Sequence, residues 1–347
     1  GKMKRVDKVK VKVLVVDDST LMRRILTDVV NSNPQFEVVR TAMNGREGLQ
    51  ILLENPTYYD IVLLDIYMPY MTGLELLKEL QQHPEVKSKV IICSTKADES
   101  AEETFTALEY GAFDFIKKPD NLVGARNHTF HNELINLLCA AVENKNKEIT
   151  KKVTQQRPES KPQPIKPPVA VPVQATKGTG SKIIALACST GGPRALQEVI
   201  PKLPKDLKAP VLIVQHMPDG FTQTLAERLD SISELTVKEA EEGDILRDGY
   251  VYLAKAGWHM EVKKVGNDHK IHLQDEPYRE GVRPCANYMY ESLVDSGYDE
   301  VICVVMTGMG ADGTEGIKNL IPKKPAKVII QNEESCVIVG SVFLYKC

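Results

Sequence analysis

Short apolar runs alternate with longer stretches of helical period along most of this chain. Residues 11–16, 37–41, 61–64, 90–93 and 113–116 read as strands. Between and after them, residues 20–31, 45–54, 74–82, 101–110 and 132–142 gather their apolar positions on one helical face. Apolar strands alternating with amphipathic helices predict a doubly wound α/β domain around a five-stranded parallel sheet. From Ala141 to about Ser181 the pattern gives way to Lys, Glu, Gln and Pro, with Pro158, Pro162, Pro164, Pro167, Pro168 and Pro172 close together. That composition buries too little apolar area to order itself, and predicts a semi-extended linker. The alternation then resumes, predicting a second α/β parallel sheet with a small antiparallel hairpin region around residues 249–253, 260–265 and 270–274. The expected division is 10–140, a linker over 141–180, and 181–347.

Composition mainly excludes. Lys and Arg number 44 against 47 Asp and Glu, a net charge of −3, so there is no basic footprint for nucleic acid. No apolar run reaches bilayer-spanning length, and the basic start Gly1–Arg5 leads into a charged strand instead of a signal core. Membrane insertion is therefore not expected. Seven cysteines form no CxxC pair, and Cys93 and Cys303 lie inside apolar strands. Free thiols and a cytoplasmic location follow. The close pairs His128/His131 and His269/His272 have no companion ligands and read as surface histidines.

Polar residues at the strand ends carry the chemistry. Asp17 and Asp18 end the first strand, Asp65 the third, Ser94 and Thr95 the fourth, and Lys118 follows the fifth. In a parallel sheet these ends share one edge. Singly, each aspartate reads as a helix cap or a solvated side chain. Together, the carboxylates call for a hard cation, and Mg²⁺ suits them. A carboxylate beside such an ion can attack a phosphoryl group. The segments 13–19, 64–69 with Gly73, and 115–119 resemble the receiver domain of two-component response regulators. The resemblance implies that Asp65 accepts phosphate from a histidine kinase and that Asp17, Asp18 and Asp65 hold Mg²⁺. Lys118 would pair with the phosphoryl group, Ser94 or Thr95 would be the switch hydroxyl, and Phe115 the aromatic that moves inward.

In the second half Ser189, His216 and Asp312 each follow an apolar run. Their convergence at one edge would give a nucleophile, a general base and its orienting carboxylate. The strict G-x-S-x-G turn is absent, since position 187 is alanine. The blocks 188–193, 215–218 and 306–313 resemble the signature segments of the chemotaxis protein-glutamate methylesterases (CheB family), and 254–260, 281–284 and 331–336 fit as well. The resemblance implies a phosphorylation-activated enzyme that hydrolyses glutamate γ-methyl esters on methylated chemoreceptors. Glutamine deamidation is a second activity that the resemblance allows. It also implies a chemotaxis histidine kinase as phosphodonor, Thr190 and Met309 as active-site neighbours, no cofactor for the esterase, and a monomer.

Two departures stand out. After Arg283-Pro284 the family continues Ser-x-Asp, where this chain has Cys285-Ala286-Asn287. The family also continues beyond Gly340 with a further apolar segment, where this chain has residues 341–347. Both keep open an alternative: a non-catalytic adaptor or phosphate sink with an impaired esterase domain.

Overall fold

The computed structural model describes residues 9–95, 97–119, 124, 128–155, 180–308 and 310–337. The first half runs β1 (Val11–Val16), α1 (Thr20–Asn31), β2 (Phe36–Ala42), α2 (Gly45–Glu54), β3 (Ile61–Asp65), α3 (Gly73–Leu80), β4 (Lys89–Ser94), α4 (Ala97–Glu109), β5 (Asp114–Lys117) and α5 (His128–Gln155). Its strands are parallel in the order β2-β1-β3-β4-β5. β3 is buried along its whole length, as a central strand covered on both faces must be. Local signals start the helices. Ser19 caps α1 by accepting from Met22 N–H, Asn44 caps α2, and Thr72 with Glu75 forms a capping box on α3. The strand order reverses between β1 and β3, which opens a crevice at their carboxyl ends.

The second half runs β6 (Lys182–Cys188), α6 (Gly192–Val199), β7 (Val211–Gln215), α7 (Phe221–Ile232), β8 (Thr236–Glu239), β9 (Tyr250–Leu253), β10 (His259–Val265), β11 (Asp268–Gln274), α8 (Ala286–Ser292), β12 (Glu300–Val305), α9 (Thr314–Leu320) and β13 (Ala326–Ile330). Six parallel strands follow the order β13-β12-β6-β7-β9-β8, and β10 pairs with β11 as a separate antiparallel hairpin.

Two expectations need correction. Residues 249–253 do not belong to the hairpin; β9 lies in the main sheet between β7 and β8. Val251, Tyr252 and Leu253 are all buried, which suits the interior of a parallel sheet. The linker does not begin at Ala141, because α5 continues to Gln155. Ala140 and Ala141 are buried, and Lys145 Nζ lies 2.7 Å from Asp60 Oδ1, so packing holds a segment already rich in helix formers. The proline-rich part of the linker and residues 341–347 lie outside the described residues.

The halves pack together. Phe221 at the start of α7 meets Phe115 at 4.9 Å and Phe105 at 6.3 Å between ring centroids. One apolar cluster runs through all three rings. Arg228 on α7 pairs with Glu102 at 3.0 Å and with Glu109, both on α4. Asn144 Nδ2 donates to the Val337 carbonyl at 3.0 Å.

Candidate active site

At the first sheet edge, β1 and β3 deliver the carboxylates. Asp17 and Asp65 are buried and Asp18 is exposed, with oxygens from all three within 4.8 Å of one another. Lys118 Nζ bridges them, 2.7 Å from Asp17 Oδ2 and 2.7 Å from Asp65 Oδ1. Burial pushes the Asp65 carboxyl up to about 6; Lys118 opposes this and Asp17 adds to it. Burial also works against the Lys118 charge, but Asp65 and Asp17 outweigh it and hold the ammonium above its ordinary range. The set is all oxygen and half open, which fits a small hard cation that keeps water or phosphate ligands. Gly73 has no freedom to change, because a Cβ there would sit 2.2 Å from the Asp65 carbonyl oxygen.

Ser94 and Thr95 are turned to one another's neighbours and not to the carboxylates. Ser94 Oγ is buried 2.7 Å from Ser100 Oγ and 2.8 Å from Thr104 Oγ1, and Thr95 Oγ1 donates to Ser100 Oγ at 3.2 Å. Sequence reading missed Ser100 and Thr104; their i, i+4 spacing on α4 was the available signal. Phe115 is buried against Phe105 and Phe221.

At the second edge, neighbouring strands β12, β6 and β7 bring the residues together. Ser189 N–H donates to the Thr307 carbonyl at 3.0 Å, and Gly192 N–H donates back to the Ser189 carbonyl at 2.7 Å. The left-handed residue of this turn is Gly191, at φ 77°, so the turn places no demand on Ala187. Gln215 Nε2 donates to the carbonyls of Ser189 and His216, each at 3.0 Å, and ties the two strand ends. A Cβ at Gly192 would fall 1.8 Å from Gln215 Oε1. Thr307 Oγ1 donates to the Thr190 carbonyl at 3.1 Å.

His216 Nε2 lies 2.8 Å from Asp312 Oδ2. Burial alone would raise the Asp312 carboxyl, but bonds from His216, Cys285 and Ala286 overcome it and hold it below the usual carboxylate range. An ionised carboxylate only accepts, so Nε2 carries the proton and Nδ1 remains as the basic nitrogen. Met309 lies outside the described residues. One contact was invisible in the sequence: Asp114 of β5 reaches across the domain boundary, its Oδ2 accepting from Gly191 N–H at 3.0 Å. Burial pushes the Asp114 carboxyl up to about 6, against bonds from Gly191 and Phe115.

The two edges define a class, a receiver domain coupled in one chain to an α/β hydrolase. Residues 13–125 match the response regulator receiver domain, and residues 184–341 match the CheB methylesterase. A protein-glutamate methylesterase/protein-glutamine glutaminase from Halalkalibacterium halodurans is 41% identical over 331 residues, covering 95% of this chain and 90% of its own. The protein of that name from Bacillus subtilis is 39% identical over 333 residues, with 95% and 90% covered. The crystal structure of the Thermotoga maritima CheB methylesterase catalytic domain is 40% identical, covers 48% of this chain and 89% of its own, and superposes with a TM-score of 0.46. This chain belongs to the CheB family of chemotaxis protein-glutamate methylesterases. The receiver implies a histidine kinase as phosphodonor, and the methylesterase domain implies chemoreceptor substrates. No helix among the described residues is long and apolar enough to cross a membrane.

Proposed function

We propose that this chain hydrolyses glutamate γ-methyl esters on methylated chemoreceptors through Ser189, His216 and Asp312, under control of phosphorylation at Asp65. The His216–Asp312 bond beside the Ser189 turn carries this reading. Ser189 Oγ attacks the ester carbonyl as His216 Nδ1 takes its proton. Asp312 stabilises the resulting imidazolium through Nε2–H. Collapse of the tetrahedral intermediate returns the proton to the departing methoxide and releases methanol. Water then repeats the sequence on the acyl-enzyme, giving glutamate and free Ser189. A glutamine side chain follows the same path with ammonia as leaving group. The N–H groups of Ser189, Gly191 and Gly192 are engaged within the fold, so Thr190 N–H is the candidate oxyanion donor of this turn, joined by Gly191 N–H when Asp114 leaves it.

Asp65 is the phosphoryl acceptor, with Asp17 and Asp18 completing the oxygen set. Mg²⁺, when bound there, neutralises charge on the transferring group. Lys118 exchanges its bond to Asp65 for one to the new phosphoryl oxygens, and Ser94 or Thr95 supplies the switch hydroxyl. The unphosphorylated receiver acts as a lid. Asp114 and Phe115 dock against Gly191 and Phe221, and Gly191 is two residues from the nucleophile. Phosphorylation shifts the balance by the difference in docking strength between the two receiver states. Methanol release from methylated receptor membranes, with and without a small phosphodonor, tests this. Turnover should rise with phosphodonor and vanish in Ser189→Ala. Unchanged turnover in Ser189→Ala would overturn the mechanism, and no methanol from the wild-type chain would favour the adaptor reading.

A further inference from the structure

The Asp312 carboxylate receives more bonds than orientation by His216 requires. Oδ2 accepts from His216 Nε2 at 2.8 Å and from Ala286 N–H at 2.7 Å. Oδ1 accepts from Asn287 N–H at 3.1 Å and from the Cys285 thiol, with Sγ at 2.9 Å. Three consecutive residues thus hold the carboxylate, Ala286 on the oxygen that meets the histidine and Cys285 and Asn287 on the other. This is the block whose sequence departs from Ser-x-Asp, and a thiol standing in for a hydroxyl keeps a donor there.

Cys285 is itself fastened. Its N–H donates to His259 Nδ1 at 3.1 Å. His259 Nε2 lies 3.1 Å from the Pro277 carbonyl. A carbonyl only accepts, so Nε2 bears the proton and Nδ1 is free to receive the Cys285 amide. His259 is fully buried, which favours this neutral form. On the other side, Asn287 Oδ1 accepts from Gly316 N–H on α9 at 2.7 Å, and α9 follows the turn that carries Asp312. Burial and the adjoining Asp312 charge push the Cys285 thiol well above its ordinary range, so it stays protonated and donates.

We infer that Cys285 is a positioning residue for the esterase, its thiol proton on Asp312 Oδ1 and its amide on His259 keeping Oδ2 aimed at His216. The inference rests on the assignment of Asp312 to the triad. Cys285 shares Oδ1 with Asn287 N–H, so losing the thiol leaves that oxygen on one 3.1 Å bond and loosens rotation about the Cβ–Cγ bond without freeing it. Among the described residues the titratable groups bonded to Asp312 are His216 and Cys285; His259 lies behind Cys285 with Arg283 acting on it, Arg279 interacts with Cys285, and Glu280 accepts from the Asn287 side chain at 3.0 Å.

The test uses the full-length phosphorylated chain and methanol release over a pH series, with Cys285→Ala, Cys285→Val and Cys285→Ser. Loss of the donor in the Ala and Val variants should lower kcat about tenfold at nearly constant KM, the cost of one charged hydrogen bond. Asp312 then becomes more basic, so the loss of kcat/KM on acidification sets in at higher pH. Cys285→Ser restores the donor and should restore most of the turnover and the original onset. His259→Asn, which keeps an acceptor for the Cys285 amide, should fall between. If Val, which fills the space without donating, matches the wild type in kcat and pH profile, Cys285 is packing only and the inference fails. Asp312→Asn run in parallel separates the two levels: an unaffected Asp312→Asn removes the triad assignment itself, whereas a damaged one beside a wild-type-like Cys285→Val removes only the tether.

Discussion

The two sheet edges solve the same electrostatic problem with different materials. Each gathers buried carboxylate charge at the carboxyl ends of parallel strands. In the receiver, Asp17 and Asp65 are balanced by one lysine on a flexible stem. In the hydrolase, Asp312 is balanced by backbone amides, a thiol and an imidazole. The outcomes are opposite: Asp65 is pushed up to about 6, while Asp312 is held below the usual range. A lysine can swing away when new charge arrives, so the first edge can change state. Amides fixed in the fold cannot, so the second edge holds one geometry through a reaction cycle. The lesson is that a compensating group's mobility, more than its charge, separates a switch from a catalyst.

The same substitution at both edges probes this contrast most strongly. Asp65→Asn removes the proposed acceptor carboxylate, and phosphoryl incorporation from a labelled donor should be lost altogether. Label on that variant would move the acceptor elsewhere. Asp312→Asn keeps the shape of the site but disturbs the His216 tautomer, and kcat for methanol release should fall by about two to four orders of magnitude. A drop no larger than severalfold would mean that Asp312 is not the orienting group.

Smaller effects concern the contact between the domains. Arg228→Ala removes the pairs to Glu102 and Glu109. Partly exposed pairs are worth about 0.2–1 kcal/mol each, so unphosphorylated turnover should rise a few-fold. The phosphorylated rate should stay in place; a rise in both rates would point to the catalytic domain instead of docking.

The smallest expected effect is one of pH. With Asp114 buried at the interface its carboxyl keeps its proton up to about 6. In an undocked receiver, in water, it releases that proton in the ordinary carboxylate range. Between those limits the docked form binds more protons, so acidification favours docking and rising pH favours release. Small-angle scattering of the unphosphorylated chain should show a more compact particle as pH falls through 6. Asp114→Asn, which cannot ionise, should flatten that dependence, and an unchanged slope in the variant would assign it to another group.

Much of this was legible from periodicity alone. Strands apolar on both faces and helices with one apolar face specify the two parallel sheets, and the residue after each strand falls at the edge. That is why Asp17, Asp65, Lys118, Ser189 and His216 could be placed without coordinates. Contacts lacking local periodicity were not legible. Asp114 and Gly191 meet only because two domains dock. Tyr250–Leu253 looked like hairpin because the residues after it are hairpin, yet its neighbours are β7 and β8. The Cys285 block left impairment open, since a residue type shows its difference from serine and not the bond that its thiol donates to Asp312. Helix α5 outran the predicted boundary because its polar second half borrows stability from the apolar turns before it.

The aromatic seam of Phe105, Phe115 and Phe221 carries one further consequence, for the temperature response of signalling. Contact between apolar rings is driven by water release and weakens on cooling, whereas the Arg228 pairs do not depend on that drive. The proposed restraint on the esterase would therefore have its own thermal coefficient, distinct from that of the chemistry it restrains. On the proposed lid, falling temperature slows bond hydrolysis while loosening the aromatic part of the docking, and the second change offsets part of the first.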